Sequence, residues 1–127
     1  MPLASVVWPP DYAKSMPRLF VYGTLRDPEI QKEIFGRVVP MVPERLAGYR
    51  LEHIQIENPY VLETSGMSVH RILVAHADAT EPIEGFSLEI TEDELARADI
   101  YEDADYARVL APLESGRSAF VYVAPTA

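Results

Sequence analysis

The sequence predicts an α+β domain in which about seven strands form a sheet that curls into a closed or half-closed barrel beside two helices. Three observations lead to this fold class. A short apolar strand passes through a glycine turn into a capped helix, and a second helix begins at a complete capping box. The remaining apolar segments have the length and pattern of strands.

The chain is organised around residues 18–29, whose sequence is RLFVYGTLRDPE. Residues 19–22 are continuously apolar, as in a buried strand, and Gly23 permits the turn that follows. Asp27 is then a suitable N-cap, Pro28 fits the first helical position, and Gly36 is a natural stop. A strand–turn–helix unit of this kind presents unpaired backbone N–H groups at one spot. Such a spot suits a carboxylate, a phosphate or a developing oxyanion.

The later elements follow in order along the chain. Residues 44–56 are extended and broken at Gly48, and residues 58–60, Asn-Pro-Tyr, turn the chain. Thr91 and Glu94 form a capping box, which predicts a helix over residues 92–101. The other predicted strands cover residues 69–75, 83–90, 106–113 and 119–123.

Residues 1–17 are predicted to be an N-terminal arm or tail, and residues 18–127 a single domain. The prolines at positions 9 and 10 exclude a helix there. The arm is either a poorly ordered terminus or a segment whose Trp8 and Tyr12 pack on this domain or on a second subunit. The second reading leaves a homodimer open.

Composition excludes several classes of function. The net charge is −9, and the whole excess lies after residue 60, so a nucleic-acid partner would be repelled. No apolar run is long enough to span a membrane, and the first residues lack the pattern of a signal peptide, so a cytoplasmic protein is expected. The absence of cysteine excludes a disulfide framework and a cysteine nucleophile.

Neither a metal nor a cofactor is expected. The three histidines, His53, His70 and His76, have no metal-ligand spacing with a carboxylate, and they are interpreted as surface or satisfied core residues. The sequence contains no phosphate-binding loop and no dinucleotide fingerprint. It also has no nucleophile elbow.

Four acidic residues crowd the end of the second predicted helix, namely Asp99, Glu102, Asp103 and Asp105. Each negative charge is unfavourable there, because the helix macrodipole is already negative at its C-terminus. One interpretation is a solvated acidic loop. The other is that one carboxylate has a raised pKa and is ready for proton transfer. The pattern alone does not rank the four.

The sequence resembles the γ-glutamylcyclotransferase-like superfamily, and in particular its avirulence-induced-gene branch. Val21-Tyr22-Gly23-Thr24-Leu25, followed by Asp-Pro-Glu, is similar to the hallmark of that branch. The resemblance continues through Gly85 and its strand, the helix ending at Glu102, and the segments around Tyr106 and Tyr122. It covers roughly residues 18 to 124. Asp103 stands where the family usually has glycine after its glutamate.

The resemblance implies a mixed barrel of six or seven strands with two or more helices outside it, and a cavity at the VYGTL turn. It implies that Glu102 is the catalytic glutamate and that Tyr106 and Tyr122 line the pocket with residues 22–25, namely Tyr22, Gly23, Thr24 and Leu25. The implied reaction is cyclisation of a small γ-glutamyl substrate to 5-oxoproline, with release of an amine or amino acid. The substrate's own α-amine is the nucleophile, so the reaction needs no cofactor or metal.

Two functions of different classes stay open at this stage. The first is a cyclotransferase with Glu102 as proton shuttle. The second is a binding or regulatory module that keeps the cavity but has little turnover. The two tyrosines are equally compatible with simple packing in a barrel core. A Glu102 that reaches the cavity favours the enzyme, and a Glu102 that points to solvent favours the binding module.

Overall fold

The computed structural model describes residues 17–125. The predicted arm lies outside that range except for Pro17, so both of its interpretations, a poorly ordered terminus or a segment whose Trp8 and Tyr12 pack on this domain or on a second subunit, stay predictions. Within it, seven strands occur: β1 (Arg18–Val21), β2 (Val42–Leu46), β3 (Tyr49–Gln55), β4 (Val69–Ala75), β5 (Ile83–Glu89), β6 (Ala107–Pro112) and β7 (Ser118–Val123). Three α-helices accompany them in the same range: α1 (Pro28–Phe35), α2 (Pro59–Ser65) and α3 (Glu92–Glu102).

The strands form two sheets. The larger sheet has the order β2-β5-β1-β7-β6, and the smaller one pairs β3 with β4. β1 lies at the centre of the larger sheet, antiparallel to β5 and parallel to β7. All three apolar residues of β1, Leu19, Phe20 and Val21, are buried. The α+β class, the mixed sheet and the number of strands are confirmed.

The closed barrel is not confirmed, because the two sheets do not join into one ladder. The larger sheet nevertheless curls so far that its edges approach each other, and the Glu114 N–H donates to the Arg45 carbonyl at 2.9 Å. Both edge strands contain a proline, Pro43 in β2 and Pro112 in β6. Proline has no N–H to donate, so these edges are poor partners for continuing the ladder. The turn at Gly48, with φ of 88°, leads the chain from β2 into the separate β3–β4 pair.

The first helix begins and ends as the sequence predicts. The Asp27 side chain accepts a hydrogen bond from the Glu29 N–H at 2.8 Å, Pro28 is the first helical residue, and Gly36 ends the helix with φ of 78°. The capping box of α3 is also present, with Thr91 and Glu94 each accepting from the backbone N–H of the other. Helix α3 runs one residue beyond the predicted end, to Glu102.

Helix α2 is not predicted from the sequence, where residues 58–60 indicate only a turn. Asn58 accepts from the Tyr60 N–H at 2.9 Å, Pro59 is the first helical residue, and Gly66 ends the helix with φ of 70°. These are the same signals that mark α1. The helix has only seven residues and buries Val61 alone, so its apolar periodicity is weak.

The helices pack on the face of β1 that carries Leu19 and Val21, and α1 holds the loop that follows the strand. Gln31 of α1 is fully buried, and its side chain donates to the Leu25 carbonyl at 2.9 Å while accepting from the Val39 N–H at 2.8 Å. These bonds tie α1 to the turn after β1.

No helix between residues 17 and 125 is both long and apolar enough to cross a membrane.

Candidate active site

The seven residues that the sequence singled out line one cavity between the turn after β1 and the end of α3. They are Tyr22, Gly23, Thr24, Leu25, Glu102, Tyr106 and Tyr122. The cavity is narrow, with about 20 Å³ of free space, which is room for about one water molecule. Residues more than 75 positions apart in the sequence therefore meet at one point.

The turn after β1 offers backbone donors to this cavity. Residues Thr24–Arg26 form one 3₁₀ turn, in which the Arg26 N–H donates to the Gly23 carbonyl at 3.0 Å. The backbone N–H groups of Gly23, Thr24 and Leu25 donate to no acceptor among residues 17–125. The Thr24 side chain is fixed by a 2.8 Å hydrogen bond with the Tyr101 hydroxyl of α3. A row of unpaired N–H groups at one wall is suited to negative charge.

Glu102 is the last residue of α3, and it lines the same cavity as residues 22–25 of the turn. Burial, reinforced by the nearby Asp105 carboxylate, raises the pKa of Glu102 from 4.5 to about 8. Its carboxylate forms no hydrogen bond or ion pair with any group in the described range. A carboxyl group with a raised pKa and no structural partner is available for proton transfer.

The tyrosine hydroxyls around Glu102 each donate a hydrogen bond to a group other than Glu102. Tyr22 donates to the Tyr122 carbonyl at 2.6 Å, Tyr106 to the Arg71 carbonyl at 2.7 Å, and Tyr122 to the Asp99 carboxylate at 2.7 Å. Burial, followed by the Glu102 charge, raises the pKa of Tyr22 and Tyr106 above the usual value. All three hydroxyls are therefore neutral at physiological pH, and their remaining lone pairs are acceptors.

The other acidic residues of the cluster have distinct surroundings. Asp99 accepts from the Tyr122 hydroxyl and forms a 3.1 Å ion pair with Arg108, so it fixes the tyrosine. Asp103 is exposed and accepts from the Asn58 side chain at 3.1 Å. Its φ is 54° and its ψ is −152°, in a region of backbone conformation that is essentially reserved for glycine. The structure thus separates Glu102, at the cavity, from an acidic neighbour that faces solvent.

His70 and Arg71 of β4 also line the cavity, and the sequence reading missed both as site residues. His70 is buried and its Nε2 lies 3.0 Å from the Ser65 hydroxyl. Burial lowers the pKa of His70, so the ring is neutral at pH 7. Nothing in the local pattern distinguishes these residues, because β4 reaches the site only through the packing of the smaller sheet. Within the described range, no group of three His, Asp or Glu side chains could hold a metal ion.

A larger groove of about 450 Å³ adjoins the cavity and shares Gly23, Thr24, His70 and Arg71 with it. Its remaining walls come from α1, β3, β4 and β5, and include Arg26, Asp27, Ile30, His53, Met67, Val69 and Phe86. This volume lies within the range of small-molecule sites.

Comparison with known proteins identifies the family. A family model described as gamma-glutamyl cyclotransferase, AIG2-like, matches residues 19–127, which confirms the resemblance seen in the sequence. No curated protein matches the sequence.

Several solved structures share the fold. A protein from Arabidopsis thaliana is 21% identical, with a TM-score of 0.62, and the match covers 85% of this chain and 68% of the other. An AIG2-like protein from Mus musculus is 20% identical, with a TM-score of 0.60 and coverage of 89% and 80%. A structure described as gamma-glutamyl cyclotransferase is 11% identical, with a TM-score of 0.64 and coverage of 87% and 67%. At these identities the likeness concerns the fold alone.

Proposed function

We propose that this chain, which belongs to the gamma-glutamyl cyclotransferase, AIG2-like family, converts a small γ-glutamyl compound to 5-oxoproline and a free amine or amino acid. The observation that carries the proposal is the position of Glu102. Its unpartnered carboxylate, with a pKa near 8, shares a cavity with the free backbone N–H groups of the turn after β1. This placement favours the enzyme over a binding module.

The reaction forms a bond between the substrate's α-nitrogen and its γ-carbonyl carbon and breaks the γ-amide C–N bond. One proton must leave the attacking amine, and one must reach the departing nitrogen. Glu102 serves both ends: its carboxylate accepts the first proton, and the resulting carboxylic acid donates it to the leaving nitrogen. No net proton is exchanged with water.

The raised pKa of Glu102 suits this shuttle. The substrate's α-amine, which has a free carboxylate on the same carbon, has a pKa of at least about 8, so the raised pKa of Glu102 reduces the free energy needed to move the proton from the amine to the carboxylate. A carboxylate with an ordinary pKa would oppose that transfer by roughly 5 kcal/mol. The same shift leaves Glu102 mostly protonated at pH 7, so the carboxylate that accepts the first proton becomes more abundant as the pH rises toward 8.

The neighbouring groups complete the site. The three tyrosine hydroxyls around Glu102 offer lone pairs rather than protons, so they suit the N–H donors of the substrate's amine. The free N–H groups of Gly23, Thr24 and Leu25 suit the α-carboxylate or the developing oxyanion, which is the role of an oxyanion hole. Since the cavity has room for about one water molecule, binding of a γ-glutamyl group requires side chains at its walls to move apart.

The test is release of 5-oxoproline from a panel of γ-glutamyl amines, amino acids and dipeptides. We expect turnover of at least one compound and a loss of about 10² to 10⁴-fold in kcat for Glu102→Gln. Glu33→Gln is the matched control, because it removes the same charge from an exposed helical position outside both cavities. It should retain full activity.

Circular dichroism should show that both variants are folded. Absence of release across the panel, or equal activity of Glu102→Gln and the wild type, would overturn the proposal. The cavity would then be treated as the site of a binding module.

A further inference from the structure

Two arginines, Arg26 and Arg71, line the larger groove next to the cavity. Arg26 is the last residue of the turn after β1, and Arg71 lies on β4. Arg71 lies beside the turn, because a side chain introduced at Gly23 would have its Cβ 4.0 Å from the Cβ of Arg71. Two positive side chains from distant parts of the chain thus face one space.

The two guanidinium groups are not neutralised by the protein around them. Neither forms an ion pair with a carboxylate of residues 17–125. The Arg26 Nε donates to the Gly23 carbonyl at 3.1 Å, and its terminal nitrogens have no acceptor in the same part of the chain. Burial, together with repulsion from Arg71, lowers the pKa of Arg26, as expected for neighbouring like charges.

Negative groups near the groove are few. Asp27 lines it, but its carboxylate is engaged as the N-cap of α1. Arg26 also borders a neighbouring depression together with Glu44, Glu84 and Glu114, but none of these three lines the groove or forms an ion pair with Arg26. In a protein of net charge −9, a groove that holds two arginines and one capping carboxylate among residues 17–125 is a local positive site.

The groove and the cavity meet at Gly23, Thr24, His70 and Arg71. When the γ-amide of a substrate lies beside Glu102, the leaving group of that substrate therefore extends into the groove. Guanidinium groups bind carboxylates through paired, charge-assisted hydrogen bonds.

From these observations we infer that Arg26 and Arg71 form a subsite for a carboxylate on the leaving group. This inference rests on the proposed function and narrows its substrate class. The preferred substrates are γ-glutamyl amino acids or peptides with a free carboxylate near the scissile amide, and neutral γ-glutamyl amines are poorer.

The test compares γ-glutamyl-alanine with γ-glutamyl-alaninamide, which differ only in that carboxylate. We expect the wild type to prefer the acid at least about tenfold in kcat/KM, since hydrogen bonds between charged groups contribute that much. Arg71→Gln and Arg26→Gln should each remove most of this preference, because each should lower kcat/KM more for the acid than for the amide. Arg50→Gln is the matched control, because Arg50 lies on β3 outside both cavities, and it should leave the preference unchanged.

The same pair of ligands, titrated calorimetrically into the Glu102→Gln protein, separates this inference from the proposed function. A preference for the acid that disappears when Arg71→Gln is added supports the subsite, even if no 5-oxoproline is ever released. Equal affinity for the two ligands, or no binding of either, overturns it. Equal weakening of both ligands by the arginine variants also overturns it, because the arginines would then hold the carboxylate of the γ-glutamyl group instead.

Discussion

Glu102→Gln is expected to stabilise the protein, and to do so more as the pH rises. The folded chain raises the pKa of Glu102 from 4.5 to about 8, mainly through burial. In the unfolded chain the carboxyl loses its proton at the ordinary value. Between these two pKa values the folded state therefore binds more protons than the unfolded state, and stability falls as pH rises.

The size of the effect follows from the pKa shift. Each unit of pKa difference corresponds to about 1.4 kcal/mol, so the full penalty of ionising Glu102 in place is at most about 5 kcal/mol above pH 8. About 1 kcal/mol of it is already present at pH 5, which leaves a change of about 4 kcal/mol between pH 5 and pH 9. This is an upper bound, because Glu102 is only partly buried as a residue and water screens part of its charge.

The assay is urea unfolding of the wild type and Glu102→Gln at pH 5, 7 and 9. Glutamine does not titrate, so its own packing cost is the same at every pH and cancels from the comparison. The stability of the variant relative to the wild type should increase by roughly 2 to 4 kcal/mol from pH 5 to pH 9. Glu33→Gln should stay within about 0.5 kcal/mol of the wild type at each pH. A difference between Glu102→Gln and the wild type that does not change with pH would refute both the raised pKa and the mechanism built on it.

Three further predictions follow from the same geometry. Because Glu102 and the substrate amine must share one proton, and the pKa of Glu102 is about 8, kcat/KM should fall by more than about tenfold from pH 8 to pH 6, whereas a flat profile in that range would exclude the shuttle. Asp103→Gly should raise the melting temperature by relieving roughly 1 to 2 kcal/mol of strain at φ of 54°, less the exposed bond to Asn58, and an unchanged or lower value would contradict this. Gly85→Ala should cost more than about 2 kcal/mol in urea unfolding, because the new Cβ would lie 2.4 Å from the Val21 carbonyl oxygen, and a loss under about 1 kcal/mol would show that the two strands can separate.

The helices show which features are predictable from sequence. The ends of α1 are determined by groups a few residues apart, such as the Asp27 carboxylate and the Glu29 N–H, so a local pattern is sufficient. The ends of α2 are marked by the same types of residue, namely Asn58, Pro59 and Gly66. The sequence does not predict that helix, because a single buried residue gives no apolar periodicity, although the capping residues at both ends are present.

Closure of the sheet depends on contacts that no local pattern encodes. Glu114 and Arg45, which are 69 positions apart, join the two edges through a backbone hydrogen bond and an ion pair of 3.9 Å, and the prolines in both edge strands limit further pairing. The prolines are visible in the sequence, but the pairing of β3 with β4 as a separate sheet is a result of long-range packing. For the same reason His70 and Arg71 were not identified as site residues before the fold was known.

The acidic cluster shows where resemblance and geometry contribute separately. Composition left four candidate acids, and only the resemblance selected Glu102. The structure supplies a physical reason: helix α3 ends at Glu102, and the left-handed φ of Asp103 turns the chain sharply at the next residue. A glycine at that position would make the turn without strain. Asp103 makes it at an energetic cost, directly after the residue that lines the cavity.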